Sequence, residues 1–247
     1  MGETLTKIGC CGFGVARPTY FQKFSLVEIQ QTFYQPPKAD TVKRWRQDAP
    51  TDFEFALKVW QLVTHEPSSP TYRRLKMRLS ERQKEQVGAF RFTDIVCRAW
   101  KATLEIARLL NADKLVFQCP ASFAPTDENK DRMRYFFSRI ERRGVACIWE
   151  PRGKWQDGEI AALCSELNLI HCVDPFKRDP TSREPPECVT EGFRYYRLHG
   201  ITGYRHKYTD KELAELAQRR DEATENYFLF NNVNMWHDAS RFKELLK

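Results

Sequence analysis

Short apolar runs alternate with longer amphipathic stretches along this chain, and the alternation predicts an α/β fold. Bulky, strand-favouring residues predict eight strands, at residues 7–11, 26–29 with an extension over 32–34, 54–59, 114–118, 146–150, 169–174, 193–198 and 226–232. Apolar residues spaced three and four apart predict helices between them, at 40–48, 92–110, 127–143, from 157, from 209 and at 237–246.

Eight strands that mostly alternate with helices favour a closed TIM-type (β/α)₈ barrel, since parallel strands joined by right-handed crossovers form such folds. The 247-residue length matches the roughly 250 residues of this architecture. We interpret residues 1–247 as a single domain with a long, irregular excursion at about 60–90. The first crossover, 12–25, is barely long enough to return to the same sheet edge.

Composition restricts the class of protein but does not identify a reaction. Aromatic residues are 13% and charged residues 30%, which is typical of a globular protein and argues against disorder. The net charge of +7 permits an anionic partner, including nucleic acid, without demanding one. Eight cysteines without a CxxC pair indicate reduced thiols in the cytoplasm. The sequence shows no signal peptide and no apolar run long enough for a membrane span.

Polar residues end seven of the eight predicted strands, where a barrel would gather them around one mouth. Buried charges are costly unless paired, so carboxylates and cations must share that space. The candidate catalytic residues are Glu28, Glu150, Asp174 and His199. The candidate substrate-binding residues are Lys58, His65, Gln118, Arg152, Arg197, Gly200, Tyr204, Asn231 and Asn232. In a strand, Arg197 and His199 would point to the same side.

The same strand ends carry a family resemblance. The matching motifs are VEIQQTFY (27–34), FALKV (55–59), TH (64–65), QCPASF (118–123), EPRGKW (150–155), VD (173–174), YRLHG (196–200) with Tyr204 and Tyr208, and FNN (230–232). In order and nearly end to end, they resemble the YecE-like family, the domain of unknown function 72. The resemblance implies a TIM barrel with a polar site at the strand ends, and no settled activity.

Three departures from the family motifs bear on mechanism. Gln30 and Gln31 replace the usual Asn-Ser of the second-strand motif, and Cys11, Gly12 and Phe13 replace the usual Ser-Gly-Trp. Pro151 and Gly153 stand in a motif that usually reads EFRHSW, so a family histidine position is lost. A mechanism that requires this histidine does not transfer to this chain.

The first hypothesis for function is a hydrolase or lyase that acts on an anionic substrate, such as a phosphate ester or a nucleic acid. Lys58, Arg152 and Arg197 would bind the anion, the three carboxylates would serve as acid and base, and His199 would carry protons. A divalent metal could be held by Glu28, Glu150, Asp174, His65 and His199. The neighbouring cations already neutralise these acids, so the sequence requires no cofactor and leaves a metal open.

Two alternatives remain open. Paired carboxylates near Trp149, Trp155 and Tyr204 would suit carbohydrate chemistry, whereas a non-catalytic binding or regulatory module would use the ion pairs only to hold its shape. The basic run at 73–84 favours a solvated helical face, and a surface for nucleic acid or an acidic partner is the open alternative. A reactive thiol at Cys10 or Cys11 is the minor alternative to a structural cysteine.

Overall fold

The computed structural model describes residues 6–177, 190 and 192–247. Eight strands in these residues close into one barrel in chain order, which confirms the TIM-type fold. The strands are β1 (Thr6–Cys10), β2 (Leu26–Ile29), β3 (Glu54–Lys58), β4 (Lys114–Gln118), β5 (Ala146–Glu150), β6 (Ile170–Val173), β7 (Arg194–Leu198) and β8 (Asn226–Phe230). The predicted strand positions are therefore confirmed to within a few residues.

Helices occupy the connections between the strands. They are α1 (Arg17–Lys23), α2 (Gln31–Tyr34), α3 (Ala39–Asp48), α4 (Gln61–Thr64), α5 (Glu81–Lys84), α6 (Asp94–Leu110), α7 (Asp127–Arg139), α8 (Asp157–Leu167), α9 (Asp210–Ala217) and α10 (Met235–Leu245), with a 3₁₀ helix at Pro70–Arg74. The short first crossover is thus filled by α1. No described helix has both the length and the apolar character needed to cross a membrane.

Side-chain caps explain where several helices begin. Thr209 and Glu212 form the predicted capping box of α9, with Glu212 accepting from the Thr209 N–H at 2.7 Å and Thr209 accepting in return at 3.3 Å. The Thr93 hydroxyl accepts from the Val96 N–H at 3.4 Å, so α6 begins at Asp94 and not at residue 92. Phe92 lies outside the helix and is 38% exposed.

The predicted strand extension over 32–34 is wrong, because the chain turns into α2 there. The Thr32 hydroxyl contacts the Ile29 carbonyl at 3.1 Å and the Lys58 carbonyl at 2.6 Å. These bonds end β2 and fold the chain back, which the alternation of apolar residues alone does not reveal.

Two further predictions need correction. Helix α7 ends at Arg139 instead of 143, because Ile140 leaves the helical conformation and is extended, with φ −77° and ψ 140°. The excursion at 60–90 is not wholly irregular, since it contains α4, the 3₁₀ helix and α5. The basic residues of the 73–84 run are all exposed, as expected. Residues 75–80 separate the 3₁₀ helix from α5, so the run does not form one helical face.

The chain separates into two compact units by its internal contacts. Unit 1 contains Met1–Glu28, Asp48–Glu54 and Ile170–Lys247, and unit 2 contains Ile29–Gln47 and Phe55–Leu169. In unit 1, β6 pairs with β7, β7 with β8, and β8 with β1, which also pairs with β2. In unit 2, β3 pairs with β4 and β4 with β5. The interpretation of the chain as one domain stays a prediction.

Each unit has an aromatic core of its own. In unit 1, the ring of Phe24 packs at 5.2 Å from Tyr20 and 5.3 Å from Trp236. In unit 2, Phe117 packs at 5.1 Å from Phe137 and 5.4 Å from Trp100. Large buried aromatic side chains contribute much of the hydrophobic stabilisation of such cores.

One buried hydroxyl joins the first two strands. Tyr20, fully buried on α1, accepts from the Cys10 N–H at 2.8 Å and donates to the Leu26 carbonyl at 2.8 Å. Gly9 allows β1 to lie close to the backbone of β2, since a Cβ at residue 9 would lie 2.3 Å from the Leu26 carbonyl oxygen. Tyr20 therefore satisfies two backbone groups at the point where β1 meets β2.

We expect Tyr20→Phe to lower the free energy of unfolding by about 1–3 kcal/mol, because it leaves a buried N–H and a buried carbonyl without this partner. Urea denaturation measures the change. Tyr135→Phe is the matched control, since Tyr135 is 49% exposed and water can replace its hydroxyl. Equal stability of the two variants would contradict the bridging role.

Candidate functional site

A fully buried ion pair lies in unit 1 between β2 and β7. Arg197 Nη2 is 3.0 Å from Glu28 Oε1, and the Tyr195 hydroxyl donates to Glu28 Oε2 at 2.9 Å. Both charged side chains have no solvent exposure. Burial, followed by the negative charge of Glu28, raises the pKa of Tyr195 well above its usual value. Glu28 and Arg197 are brought together as predicted, but in a place without access to water.

The accessible acid–base pair of unit 1 follows β6 and β7. Asp174 Oδ2 accepts from the His199 backbone N–H at 3.0 Å and lies 3.1 Å from His199 Nδ1. Its other oxygen accepts from the Phe176 N–H at 3.1 Å. The carboxylate can only accept, so Nδ1 carries the proton and Nε2 is the ring nitrogen with a lone pair that can take one. The His199 side chain is 23% exposed.

Arg197 and His199 therefore contact different carboxylates, although Arg197 lies in β7 and His199 comes directly after the end of that strand. Arg197 is bound to Glu28 inside, and His199 is bound to Asp174 at the strand end. The alternation of side chains along β7 also places Tyr195 beside Arg197.

The loop after His199 is held by its own geometry. Gly200 has a φ of 89°, and a Cβ there would lie 2.3 Å from the Gly203 carbonyl oxygen, so only glycine fits. The Gly200 N–H donates to the Tyr208 hydroxyl at 2.9 Å. His206 links the loop to α9, with Nδ1 3.1 Å from the Thr202 hydroxyl and Nε2 3.1 Å from Glu212.

The two asparagines after β8 differ in role. The buried Asn232 amide donates to the His206 carbonyl and to Asp238 Oδ2, both at 2.7 Å. Asn232 therefore helps to hold the loop that follows β7. Asp238 also accepts from the Tyr208 N–H at 3.3 Å. Asn231 is partly exposed, and its N–H continues the ladder to Leu198 at 2.8 Å. Tyr204, in contrast, is 60% exposed.

Unit 2 gathers the remaining candidates at the ends of β3, β4 and β5. Arg152 Nε donates to Glu150 Oε1 at 2.8 Å, with the Arg152 side chain 31% exposed and that of Glu150 only 7% exposed. Gln118 stands opposite Glu150 in the register of β4 and β5. Arg152 thus presents an accessible cation whose position is set by a buried carboxylate.

Lys58 and His65 share one aromatic neighbour. Lys58 Nζ lies 3.7 Å from the centre of the Phe33 ring, and the His65 ring meets the same phenyl edge-on at 4.8 Å. His65 is buried, and its Nδ1 is 2.8 Å from the Thr64 hydroxyl. Burial and then the charges of Lys58 and Arg152 lower the pKa of His65 to about 3, while Glu150 acts in the opposite direction. His65 is therefore neutral near pH 7, in a positive local field.

The two N-terminal cysteines are unsuited to act as nucleophiles. Burial raises the pKa of Cys10 to about 12 and raises that of Cys11 well above its usual value, and the Glu28 charge adds to the effect on Cys11. Both effects favour the protonated thiol, which argues against the reactive-thiol alternative. Cys119, Cys147 and Cys172 are buried, as expected for small apolar residues. Cys188 lies outside the described residues.

Sequence reasoning missed the neutral partners of the charged groups. Tyr195, Phe33 and Tyr208 each contact a predicted site residue, and each reads as an ordinary core aromatic. Two signals were available: Tyr195 is two residues before Arg197 on the same face of a strand, and Phe33 and Tyr208 lie in the family motifs. Among the described residues, no group of three His, Cys, Asp or Glu side chains is arranged to hold a metal ion.

Comparisons with known proteins identify relatives of the chain. A family model described as Protein of unknown function DUF72 matches residues 17–247. A DUF72 family protein from Enterococcus faecalis is 18% identical, with a TM-score of 0.74 over 98% of this chain and 95% of its own. One from Thermotoga maritima is 19% identical, with a TM-score of 0.64 over 98% and 99%.

A more distant likeness extends to a different class of protein. A D-psicose 3-epimerase is 10% identical, with a TM-score of 0.54 over 99% of this chain and 98% of its own. At this identity the likeness shows the barrel fold alone. No curated protein matches the sequence.

We expect the protein to lose about 2 kcal/mol of stability between pH 7 and pH 5 through His65. The unfolded chain takes up a proton on His65 as the pH falls below 6.5, whereas the folded protein resists it down to about pH 3. Lowering the pH in this window therefore favours the unfolded state. Urea denaturation of the wild type and His65→Gln at both pH values measures the difference.

His237→Gln is the matched control, because His237 is exposed. It should keep the pH dependence of the wild type, and His65→Gln should lose it. The same pH dependence in all three proteins would show that His65 is not held neutral.

Proposed function

This chain belongs to the DUF72 family of proteins of unknown function, and we propose that it is a hydrolase or lyase that acts on an anionic substrate by acid–base catalysis at the C-terminal ends of its barrel strands. Active sites of TIM-barrel enzymes lie at that end of the barrel. The residues that can exchange protons with a substrate must be polar, held in place and open to solvent.

The Asp174–His199 pair is the observation that carries the proposal. One carboxylate oxygen contacts both the backbone and the ring of His199, at 3.0 and 3.1 Å. Such a contact fixes the ring orientation and tautomer and stabilises the imidazolium that forms when Nε2 takes a proton. In this proposal His199 transfers the proton, and Asp174 positions it and balances its charge.

Exposed cations on the same loop support an anionic substrate. Arg205 and Lys207 follow His199 within eight residues and are both exposed. They would attract an anion towards the loop, and the attraction would weaken as salt rises.

Unit 2 supports an anionic ligand by a separate observation. After burial, which is the largest cause, the charges of Lys58 and Arg152 lower the pKa of His65 and that of Glu150 raises it, so two cations and one carboxylate act at this position. Arg152 is the accessible member of this group and has the planar geometry that binds phosphate or carboxylate. Glu150 positions Arg152 and is its charge partner. His65 is neutral, so it can donate or accept hydrogen bonds but contributes no charge of its own.

Burial limits the roles that several of the residues inferred from the sequence can have. Glu28 and Arg197 have no solvent exposure, so their part is to hold the strand ends and not to touch the substrate. Of the three aromatic residues in the carbohydrate alternative, Trp149 is fully buried and Trp155 is 8% exposed, which leaves only Tyr204 accessible to a sugar. Both indoles donate internally, to Cys119 Sγ at 3.3 Å and to the Phe123 carbonyl at 2.8 Å.

We expect His199→Gln to reduce kcat/KM by about 10²–10⁴, the usual contribution of a general acid–base residue. The substrates are p-nitrophenyl phosphate and bis(p-nitrophenyl) phosphate, each assayed with and without added divalent metal. Asp174→Asn should also reduce the rate, because an amide can donate to Nδ1 and so favour the wrong tautomer.

His237→Gln serves as the control for a histidine change at the surface and should keep wild-type kinetics. Thermal denaturation of all variants separates lost chemistry from lost folding. Full activity of His199→Gln, or activity that falls only in step with the melting temperature, would contradict the assignment. Tight binding of the esters without turnover by the wild type would favour the non-catalytic alternative.

A further inference from the structure

Three exposed apolar side chains lie in the loops that follow β7 and β8, and the first of these loops begins at His199. Seven large hydrophobic residues are exposed in the part of the chain that the structure describes, and three of them lie in the loops that follow β7 and β8. They are Ile201 at 43%, Tyr204 at 60% and Val233 at 58% exposure. Single exposed apolar residues are normal on a protein surface, whereas a group beside a polar site indicates a ligand contact.

This apolar group is held in place by the backbone. The Val233 N–H donates to the Tyr204 carbonyl at 2.8 Å, which joins the two loops directly. The Gly203 N–H donates to Gly200 at 3.1 Å, and the His206 N–H donates to Gly203 at 2.9 Å. Backbone hydrogen bonds therefore hold the loop on both sides of Tyr204. Little conformational entropy should be lost from this loop when a ligand binds.

The surroundings of the apolar group carry positive charge. Arg205 is the next residue after Tyr204 and Lys207 follows two positions later, and both are exposed. An exposed aromatic ring with cations alongside is the arrangement by which proteins bind unpaired nucleic acid, the bases stacking on the ring while the phosphates meet the cations. The net charge of +7 agrees with a polyanionic ligand.

We propose that Tyr204 is a stacking platform for an unpaired base of a nucleic-acid strand, with Ile201 and Val233 extending its apolar face and Arg205 and Lys207 binding the phosphates. This inference rests on the proposed function and names its substrate class, a nucleic acid whose sugar–phosphate backbone is presented to His199. Stacking is tolerant of sequence, because every base has a flat face.

Other occupants fit the observations less well. A protein partner would need roughly 800 Å² on this chain for a stable interface, far more than three side chains provide. A neutral sugar could stack on Tyr204 but would gain nothing from the cations. If the ligand were a neutral sugar, we would expect its affinity not to depend on salt.

Two probes of similar charge separate stacking from electrostatic attraction. The first is a fluorescently labelled ten-nucleotide oligothymidylate, and the second is inorganic polyphosphate of about ten phosphates, used as a competitor. We expect Tyr204→Ala to weaken binding of the oligonucleotide about five- to 150-fold, as loss of one stacked base does. Its affinity for polyphosphate should stay within twofold of the wild type, and Tyr204→Phe should keep oligonucleotide binding.

The controls test each part of the surface. Tyr135→Ala removes another exposed tyrosine, 49% exposed on α7, and should leave both affinities unchanged. Replacing Arg205 and Lys207 together with alanine should weaken both probes and make the slope of log Kd against log salt shallower by one to two.

Two results would overturn the inference: no oligonucleotide binding at 50 mM salt, or equal losses for both probes in Tyr204→Ala. Binding is measured without turnover, so the outcomes for the two proposals can be told apart. Tyr204-dependent binding with no hydrolysis in any assay would refute only the catalytic proposal. Hydrolysis of small phosphate esters by a protein that ignores the oligonucleotide would refute only the stacking platform.

Discussion

The buried pair of Glu28 and Arg197 is the constraint on which the strand ends of unit 1 depend. Two charges that leave water altogether must satisfy each other, and removing either partner leaves a charge whose burial costs about 3–5 kcal/mol. The Tyr195 hydroxyl completes the arrangement with a bond of 2.9 Å to the carboxylate. β2 and β7 are therefore joined at their polar ends by a contact that tolerates little displacement. His199 comes two residues after Arg197, so this contact also restricts its position.

Solvent access divides the charged residues into two kinds. Glu28 and Arg197 have no exposure, whereas the side chains of His199 and Arg152 are 23% and 31% exposed. In each unit an acid with little exposure orients its more accessible basic partner, Asp174 in one and Glu150 in the other. Chemistry with a substrate belongs to the accessible members, and the acids fix where they point.

The fold could be predicted from the sequence because strand and helix periods are properties of local residue patterns. All eight strands follow from apolar runs, and the error at Thr32 arose where a side-chain bond overrides that pattern. Pairings between residues distant in sequence are harder. Both Arg197 and His199 were expected to face one site, but which carboxylate each would meet depends on packing that local spacing does not encode. Exposure, which separates Tyr204 from the buried Trp149, is likewise a tertiary property.

A double-mutant cycle on the buried pair tests whether charged residues at the strand ends divide into internal supports and accessible chemical groups. The measurement is the free energy of unfolding of the wild type, Glu28→Gln, Arg197→Gln and the combined variant. Each single change should cost about 3–5 kcal/mol, and the combined change should cost clearly less than their sum. Effects that add to within about 0.5 kcal/mol, or single variants as stable as the wild type, would contradict it.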